Sequence, residues 1–515
     1  MTGKRVKNRT VLIVLGIALY IALLFLLILA ESADSETQIR SLPAAFWYSI
    51  TTLTTVGYGD IVPMTTAGKA IGIIFQLMSL GVLAALVGLA VSVFSGRFLP
   101  MVRLRMNRGK KWYIFAGQNE RCRILAKALK EDSPEHFVIF ENDPFTLPEI
   151  LSRKRRDGKA VLFFLEDNMP ENERRSREYE KNDIQICCLS STEPEKLSEH
   201  MIRFDPYENC ARIYWSKHPA EGKSEKIAVI GGGKYAFALL EQAFLVNVID
   251  PEQQIFYRLY GDFEDFMNLH PYLDQMMNRK DGDLGRDRLI YVGKEWNKDL
   301  TGLREADRIL VCCEQEEDTL LTLETLFRYC PLKGKVHARI SVPFDRAEIF
   351  GNIRELYTPE HVLKQTQNQL AICLHEQYRA GVSGPVPEWK DLGAFTRRSN
   401  LAAADHLETK VRILTGRNGS VKLTEELCRE AARIFGDAGE KDRLLYRKIE
   451  HMRWMRFHVL NNWQYAPVRN DAERLHPMLV PFDRLSKENQ VKDDLAWKVL
   501  ENMTGLPESE YNGVK

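Results

Sequence analysis

A chain of 515 residues and 59.3 kDa is too long for one compact core, and about three domains is the ordinary expectation. Its 71 Lys and Arg nearly balance 70 Asp and Glu, and a net charge of +1 excludes a nucleic-acid coat or a basic surface binder. The average conceals an asymmetry, because the first hundred residues are very apolar while the remainder has an ordinary charged globular composition. Nine cysteines show no CxxC spacing. The adjacent pairs Cys187-Cys188 and Cys312-Cys313 lie in apolar runs and read as small buried hydrophobes, so a reduced cytosolic setting fits better than a disulfide framework.

Two long apolar runs come first. Residues 11–30 form a run of 20, which at about 1.5 Å per residue spans roughly 30 Å, the depth of a bilayer core. That is longer than a signal-peptide core, and no small-residue cleavage pattern precedes Glu31. A second run, 71–94, carries only Gln76, Ser79 and Ser92 as clearly polar residues. Lys4, Arg5, Lys7 and Arg9 precede the first run; Arg97, Arg103, Arg105, Arg108, Lys110 and Lys111 follow the second; Glu31, Asp34 and Glu36 lie between. Positive charge stays inside, so both termini and residues 100–515 are expected in the cytoplasm.

Between the runs, PAAFWYSITTLT at 43–54 is apolar and aromatic but too short to span, and its leading proline suits the first turn of a re-entrant helix. Thr55-Val56-Gly57-Tyr58-Gly59-Asp60 follows. Glycine there permits backbone conformations closed to other residues, so that successive carbonyls can face one axis and replace the hydration shell of an ion. The stretch TTVGYGD, flanked by helices in the order helix, pore helix, filter, helix, resembles the two-transmembrane potassium channels over about residues 11–96. The resemblance implies K+ as permeant ion and Thr55 to Gly59 as selectivity filter. It also implies Asp60 at the outer mouth, Trp47 and Tyr48 packed around the filter, and a homotetramer in the lipid bilayer, since one chain supplies a quarter of the carbonyl ring. One position departs from many relatives: Ser79 stands where they carry a hinge glycine, with Gly81 and Gly88 on the same helix.

The cytoplasmic chain repeats itself. WYIFAG at 112–117, a helical NERCRILAKALKED and the run HFVIFEND are echoed by KIAVIGGGKYAFALLEQAFLVNVI at 226–249. Each copy later carries a cysteine pair, in DIQICCLS and DRILVCCE, 70 residues after Gly117 and 81 after Gly231. Two such strand-helix-strand units suggest two Rossmann-like parallel sheets. A potassium pore followed by tandem Rossmann units resembles the channels gated by regulator-of-potassium-conductance (RCK) domains, over about residues 110–380. In the second copy Gly231, Gly233 and Ala236 fit G-x-G-x-x-G/A, a turn able to set a helix N-terminus against a phosphate, with Asp250 near the spacing of the expected acid. The first copy keeps one glycine, in Gly117-Gln118-Asn119-Glu120, with Glu141 or Asp143 as its strand-end acid. In both copies a glycine that merely permits a tight turn is the competing explanation.

After SGPVPEW at 383–389 two helical segments appear, at 395–414 and from 446 onward. The pattern EHMRW, NNWQYAPVRN, LHPMLVPFDRLS, KDD resembles the ryanodine-receptor (RyR) repeat domain over about residues 390–505. Single bacterial copies look like sensors of small nucleotide-like signals. The resemblance directs attention to Trp463, Tyr465 and Phe482 as stacking faces and to Arg456, Arg469 and His476 as anion contacts; packing in a core is the alternative role for each aromatic. No metal or catalytic set emerges: the eleven histidines are scattered, and His451 and His458 share a helix face without further ligands. No G-x-S-x-G or Walker motif occurs.

The expected fold is a membrane α-helical two-transmembrane pore domain (1–98), α/β Rossmann-like RCK domains (110–222 and 224–382) and a mainly α RyR-like domain (386–510). The expected function is a tetrameric potassium channel of the bacterial inner membrane, not an enzyme, gated from the cytoplasm by a small nucleotide-like ligand. Two readings compete with it: a membrane-anchored dinucleotide-binding redox enzyme with a vestigial pore, and a channel serving as an antiphage defence effector.

Overall fold

The computed structural model describes residues 18–93, 109–142, 160–182, 184–273, 285–381 and 384–503, with a few isolated positions between. Arginines 97, 103, 105 and 108, the basic residues before position 11, the first residues of the apolar run 11–30, and Asp143 lie outside them. The chain forms two compact units, 1–109 and 110–515.

In the first unit, α1 (18–31) and α3 (Thr66–Val93) flank α2 (Leu42–Leu53), whose first turn holds Pro43. Leu23, Leu24 and Leu27 of α1 pack with Ile39, Ala45, Tyr48 and Phe75. Gly72 admits the Tyr48 hydroxyl, which would lie 2.4 Å from a Cβ there. Glu31, fully buried, ties the end of α1 to the start of α3: its carboxylate accepts from the hydroxyls of Thr37 and Thr65 (2.7 Å each) and from the amides of Met64 and Thr65 (3.0 and 2.9 Å). Among the described residues no helix is long and apolar enough to cross a membrane. The backbone of α3 alone runs 28 residues, about 42 Å at 1.5 Å per residue, but several side chains in its second half are outside the described set.

The second unit contains two large all-parallel sheets, besides a two-residue parallel pair, Gln464–Tyr465 with Leu475–His476. The first comprises β1 (Lys111–Phe115), β2 (His136–Phe140), β3 (Ala160–Phe164), β4 (Gln185–Leu189) and β5 (Met201–Phe204), in the order β2-β1-β3-β4-β5. Helix α4 (Glu120–Asp132) follows β1, and α5 (Pro206–Lys217) follows β5. The second sheet comprises β6 (Ser224–Gly232), β7 (Gln254–Asp262), β8 (Arg288–Gly293), β9 (Arg308–Cys312), β10 (Lys335–Arg339) and β11 (Glu348–Phe350), with α6 (Gly233–Val246) after β6. Its order is β11-β10-β9-β6-β7-β8. Counted from its own first strand this is 3-2-1-4-5-6, the order of dinucleotide-binding sheets, while the first sheet is 2-1-3-4-5. AVLFF is apolar throughout, and RILVC is apolar after Arg308, because parallel sheets are covered on both faces.

This topology corrects the equivalence of the cysteine runs. The strand beside β6 is β9, which carries Cys312, whereas the strand beside β1 is β3; the Cys187-Cys188 strand, β4, lies one place further out. The strand matching β9 is therefore AVLFF, and among the described residues the edge strand β8 has no counterpart in the first copy. Cys187, Cys188 and Cys312 are buried and all nine cysteines are free.

The C-terminal helices α7 (Ala394–Asp405), α8 (Leu407–Thr415), α9 (Glu425–Asp437) and α10 (Glu440–Leu460) build a core of their own around Val411, Phe435, Ile449 and Trp497. They also dock on the second sheet. Val459 and Leu460 join the main core with Val229, Leu259 and Leu310. Arg456 pairs with Asp287 at 2.7 Å, both 1 % exposed, and Arg212 of α5 pairs with Asp405 at 2.7 Å. The Thr409 hydroxyl donates to the Val246 carbonyl at 2.8 Å. Within the helices, burial alone would raise the Glu450 carboxyl, but Arg453 and Lys410 (2.6 and 2.8 Å) hold it well below the usual carboxylate range.

Candidate functional site

The conformation of residues 55–59 follows from alternation of hand. Thr55, Gly57 and Gly59 have φ of +59°, +56° and +73°, and Val56 and Tyr58 between them do not reverse. An extended chain of one hand sends successive carbonyls to opposite sides; reversing every second residue brings them round to one side. The other edge is anchored, because the amides of Val56 and Gly57 both donate to the Thr51 carbonyl at 2.9 and 3.1 Å. The C-terminal, negative end of the α2 dipole therefore meets the filter segment, an arrangement that favours a cation. A Cβ on Gly57 or Gly59 would meet nothing within 4 Å, so glycine serves conformation there, not space. Trp47 braces the outer end: its indole N–H donates to Asp60 at 2.9 Å, and its ring stacks on Tyr58 at 6.0 Å. Ser79 is buried and its hydroxyl donates to the Gln76 carbonyl at 2.6 Å, while Gly81 and Gly88 have open space where a Cβ would stand.

The glycine turns open at the switch points of the two sheets, where open α/β folds place ligands. A Cβ on Gly231 (φ +138°) would lie 2.1 Å from the Cys312 carbonyl oxygen, so this glycine lets β6 and β9 approach. Gly233 (φ +79°) begins α6, and Ala236 is buried beneath it. The N-terminus of α6 is already engaged. The Lys234 amide donates to the Glu314 carboxylate at 3.0 Å, and a Cβ on Gly233 would collide with the same carboxylate. The first copy does likewise. A Cβ on Gly117 would meet the Glu166 carboxylate, and Asn119 caps α4 while donating to Glu166 at 3.3 Å. Glu166 and Glu314 each lie two residues beyond equivalent strands, β3 and β9, so both copies place a carboxylate of their own where a phosphate would rest.

Asp250 does not end the second strand. It precedes β7, in a turn closed by Gln253 and paired with Lys223 at 2.5 Å, and the strand-end acid is Asp262, paired with Lys294 at 3.3 Å. Glu141 follows β2, its amide donating to the Phe115 carbonyl at 2.9 Å.

The six C-terminal candidates do not converge. Arg456 is in the core against Asp287. Trp463 is 5 % exposed and stacks on Phe395 at 5.0 Å; His476, 6.1 Å from it, accepts the Met478 amide at 3.1 Å; Phe482 is buried edge-on to His451. Tyr465 is exposed, and Arg469 is held in a two-point pair with Asp471. His451 and His458 are buried and bonded to backbone carbonyls.

What sequence reasoning missed is a cavity of about 570 Å³ bounded by both Rossmann sheets and the C-terminal helices, with Arg203, Asp205, Lys234, Glu241, Arg398 and Arg474 in its wall. Its size is that of a small-molecule site. Burial and the neighbouring Glu208 push the Asp205 carboxyl up to about 7. An acid two residues past the third apolar run of the first copy and the fourth of the second, in FFLED and VCCE, was the visible sign of Glu166 and Glu314.

Comparison with known proteins agrees with the N-terminal geometry. Residues 10–96 match the ion-channel family model. Over 82 residues the chain is 44 % identical to the A-type voltage-gated potassium channel KCND3 of Rattus norvegicus and of Homo sapiens, which is 16 % of this chain and only 12 % of theirs. Among solved structures, GsuK bound to ADP shares 15 % identity over 68 % of this chain and 96 % of its own, with a TM-score of 0.30, and the GsuK channel bound to NAD 14 % over 68 % and 82 %, also 0.30. Overlaps of that size establish no shared fold, and the architecture above rests on this chain's own strand order. The N-terminal unit carries an ion-channel pore segment related to those of potassium channels.

Proposed function

We propose that this chain is a potassium-selective channel, assembled as a homotetramer in a bacterial inner membrane and gated from the cytoplasm by a small anionic, nucleotide-like ligand. The observation that carries the reading is the alternation of hand at Thr55, Gly57 and Gly59, with the amide edge tied to Thr51. One such strand lines a quarter of a pore, and four copies close a ring of carbonyls. Exposed apolar side chains on α1 and α3, such as Phe25, Leu29, Ile73 and Leu77, suit lipid or neighbouring subunits. The second unit acts as an RCK-like gating domain whose C-terminal, RyR-like helices close the ligand cavity. The anionic groups of such a ligand would meet Arg203, Lys234, Arg398 and Arg474, while Glu193, Asp205, Glu208, Glu241 and Asp405 in the same wall would accept from its hydroxyl and amino groups.

The test is potassium flux from proteoliposomes containing the full chain, against a panel of adenine nucleotides and dinucleotides, with Arg398→Ala and Arg474→Ala beside it. A truncation before residue 386 is a poor control, because it would strip Arg456 from buried Asp287. Potassium-selective flux that a nucleotide changes in the wild type, and changes less in the arginine variants, is the expected result. Flux without preference for potassium over sodium rejects the pore assignment; selective flux indifferent to the whole panel rejects the nucleotide-like ligand.

A further inference from the structure

His337 of β10 and Glu348 of β11 are register partners on adjacent parallel strands. The C-terminal end of α5 brings His218 over them. His218 Nε2 lies 3.5 Å from one Glu348 oxygen and His337 Nδ1 lies 3.8 Å from the other, and the three donor atoms fall within 4.8 Å of one another. These separations are too long for hydrogen bonds. The two nitrogen–oxygen separations, each to a different Glu348 oxygen, approach the edge of a tetrahedron about a zinc-like ion, about 3.4 Å when the ligands stand at about 2.1 Å. His337 is 2 % exposed, and its Nδ1 is buried with no hydrogen-bond partner, a cost the fold bears for a group aimed at this point. The Tyr214 ring packs 5.0 and 5.6 Å from the two imidazoles and fixes their planes. The nearby Arg308 guanidinium is paired with Glu225 at 2.7 Å, which tempers its repulsion of a cation.

We propose that His218, His337 and Glu348 form a binding site for a divalent transition-metal ion. Two imidazoles with one carboxylate suit zinc, copper or nickel rather than calcium or magnesium. Glu348 is exposed, leaving a fourth position on the solvent side for water. The bound ion ties α5, the helix joining the two sheets, to the outer edge of the second sheet.

The experiment uses the full chain in detergent, stripped with a chelator and titrated with Co2+, whose tetrahedral complexes absorb strongly in the visible. Wild type is expected to bind one equivalent that Zn2+ displaces. Glu348→Gln, at an exposed position that leaves the core intact, is expected to weaken Co2+ by at least the ~10–100-fold that loss of an outer-shell partner costs. His218→Gln and His337→Gln should abolish the spectrum. Absence of the absorption in wild type, or an unchanged titration in Glu348→Gln, overturns the assignment whatever the histidine variants do.

Discussion

The buried pair between Arg456 and Asp287 makes an asymmetric prediction. Asp287 accepts three donors, from Gln253 Nε2 at 2.9 Å, the Ile255 amide at 2.7 Å and Arg456 Nη2 at 2.7 Å. Arg456 has Asp287 and a longer contact of 3.4 Å to the Phe244 carbonyl. Breaking a buried pair from one side costs about 3–5 kcal/mol, mostly the penalty of the charge left behind. Arg456→Met should fall in that range and Asp287→Ala above it, because the latter also orphans two further donors. Replacing both, Arg456→Met with Asp287→Leu, should recover part of the loss. The full chain does not unfold in one step, so the readout is local: hydrogen exchange at the Ile255 amide, which donates to Asp287. Protection there should drop roughly 10²- to 10⁴-fold in Arg456→Met, the equivalent of the same free energy at about 1.4 kcal/mol per decade. A drop of less than fivefold, or a double variant no better than the sum of the singles, would refute the claim that this pair fastens α10 to the sheet.

Other consequences are as specific. Removing the resident carboxylate from the second turn, as Glu314→Ala, should tighten nucleotide binding by roughly two- to twelve-fold, the worth of one exposed hydrogen bond at about 0.5–1.5 kcal/mol, and calorimetry on both proteins decides it. Gly57→Ala meets no steric obstacle, but holding alanine at φ +56° costs about 1–2 kcal/mol, so the variant should assemble and lose potassium-over-sodium preference in liposome flux. Glu31→Ala leaves four donors without their acceptor and should lower the thermal midpoint of the first unit, at about 1–3 kcal/mol for each donor that finds no water. Burial pushes the Asp205 and Glu408 carboxyls up to about 7. A carboxyl that titrates higher folded than unfolded contributes stability that is whole below about pH 4 and fades as pH rises through about 7. Buried His406 and His458, pulled down to about 3, act in the opposite direction, so the test is the difference from wild type: Glu408→Gln should raise the melting point at about pH 8 relative to that at about pH 5.5, and an unchanged slope speaks against it.

The filter was legible in the sequence because its chemistry is local: a turn of alternating hand needs its glycines at fixed offsets, and flanking apolar runs supply the context. The Rossmann sheets were legible through apolar runs and glycine turns, but strand order was not, which is why DIQICCLS and DRILVCCE looked equivalent when β4 and β9 occupy different places. Spacing alone puts Asp250 near the expected acid without saying whether it precedes or ends the second strand; the Gln253 side chain closes a turn there ahead of β7, so Asp262 is the strand-end acid. Arg456 and Arg469 look alike in a string of letters, yet one is sealed against Asp287 and the other lies on the surface beside Asp471. Nothing in local pattern could assemble His218, His337 and Glu348, because they meet only through the pairing of β10 with β11.

If the alternating hand of Thr55, Gly57 and Gly59 turns the carbonyls of residues 55–59 to one side, four chains brought together would crowd like dipoles around an axis. Such a ring is strained until something positive occupies it. On the proposed function the permeant ion is then also a component of the native assembly, and the tetramer gains stability as RT ln(1 + [K+]/Kd). Purification in sodium or in choline would amount to removing a ligand. The order in which the pore fails would reverse the usual one, with the narrow conducting segment losing its shape while α1 and α3 still hold together.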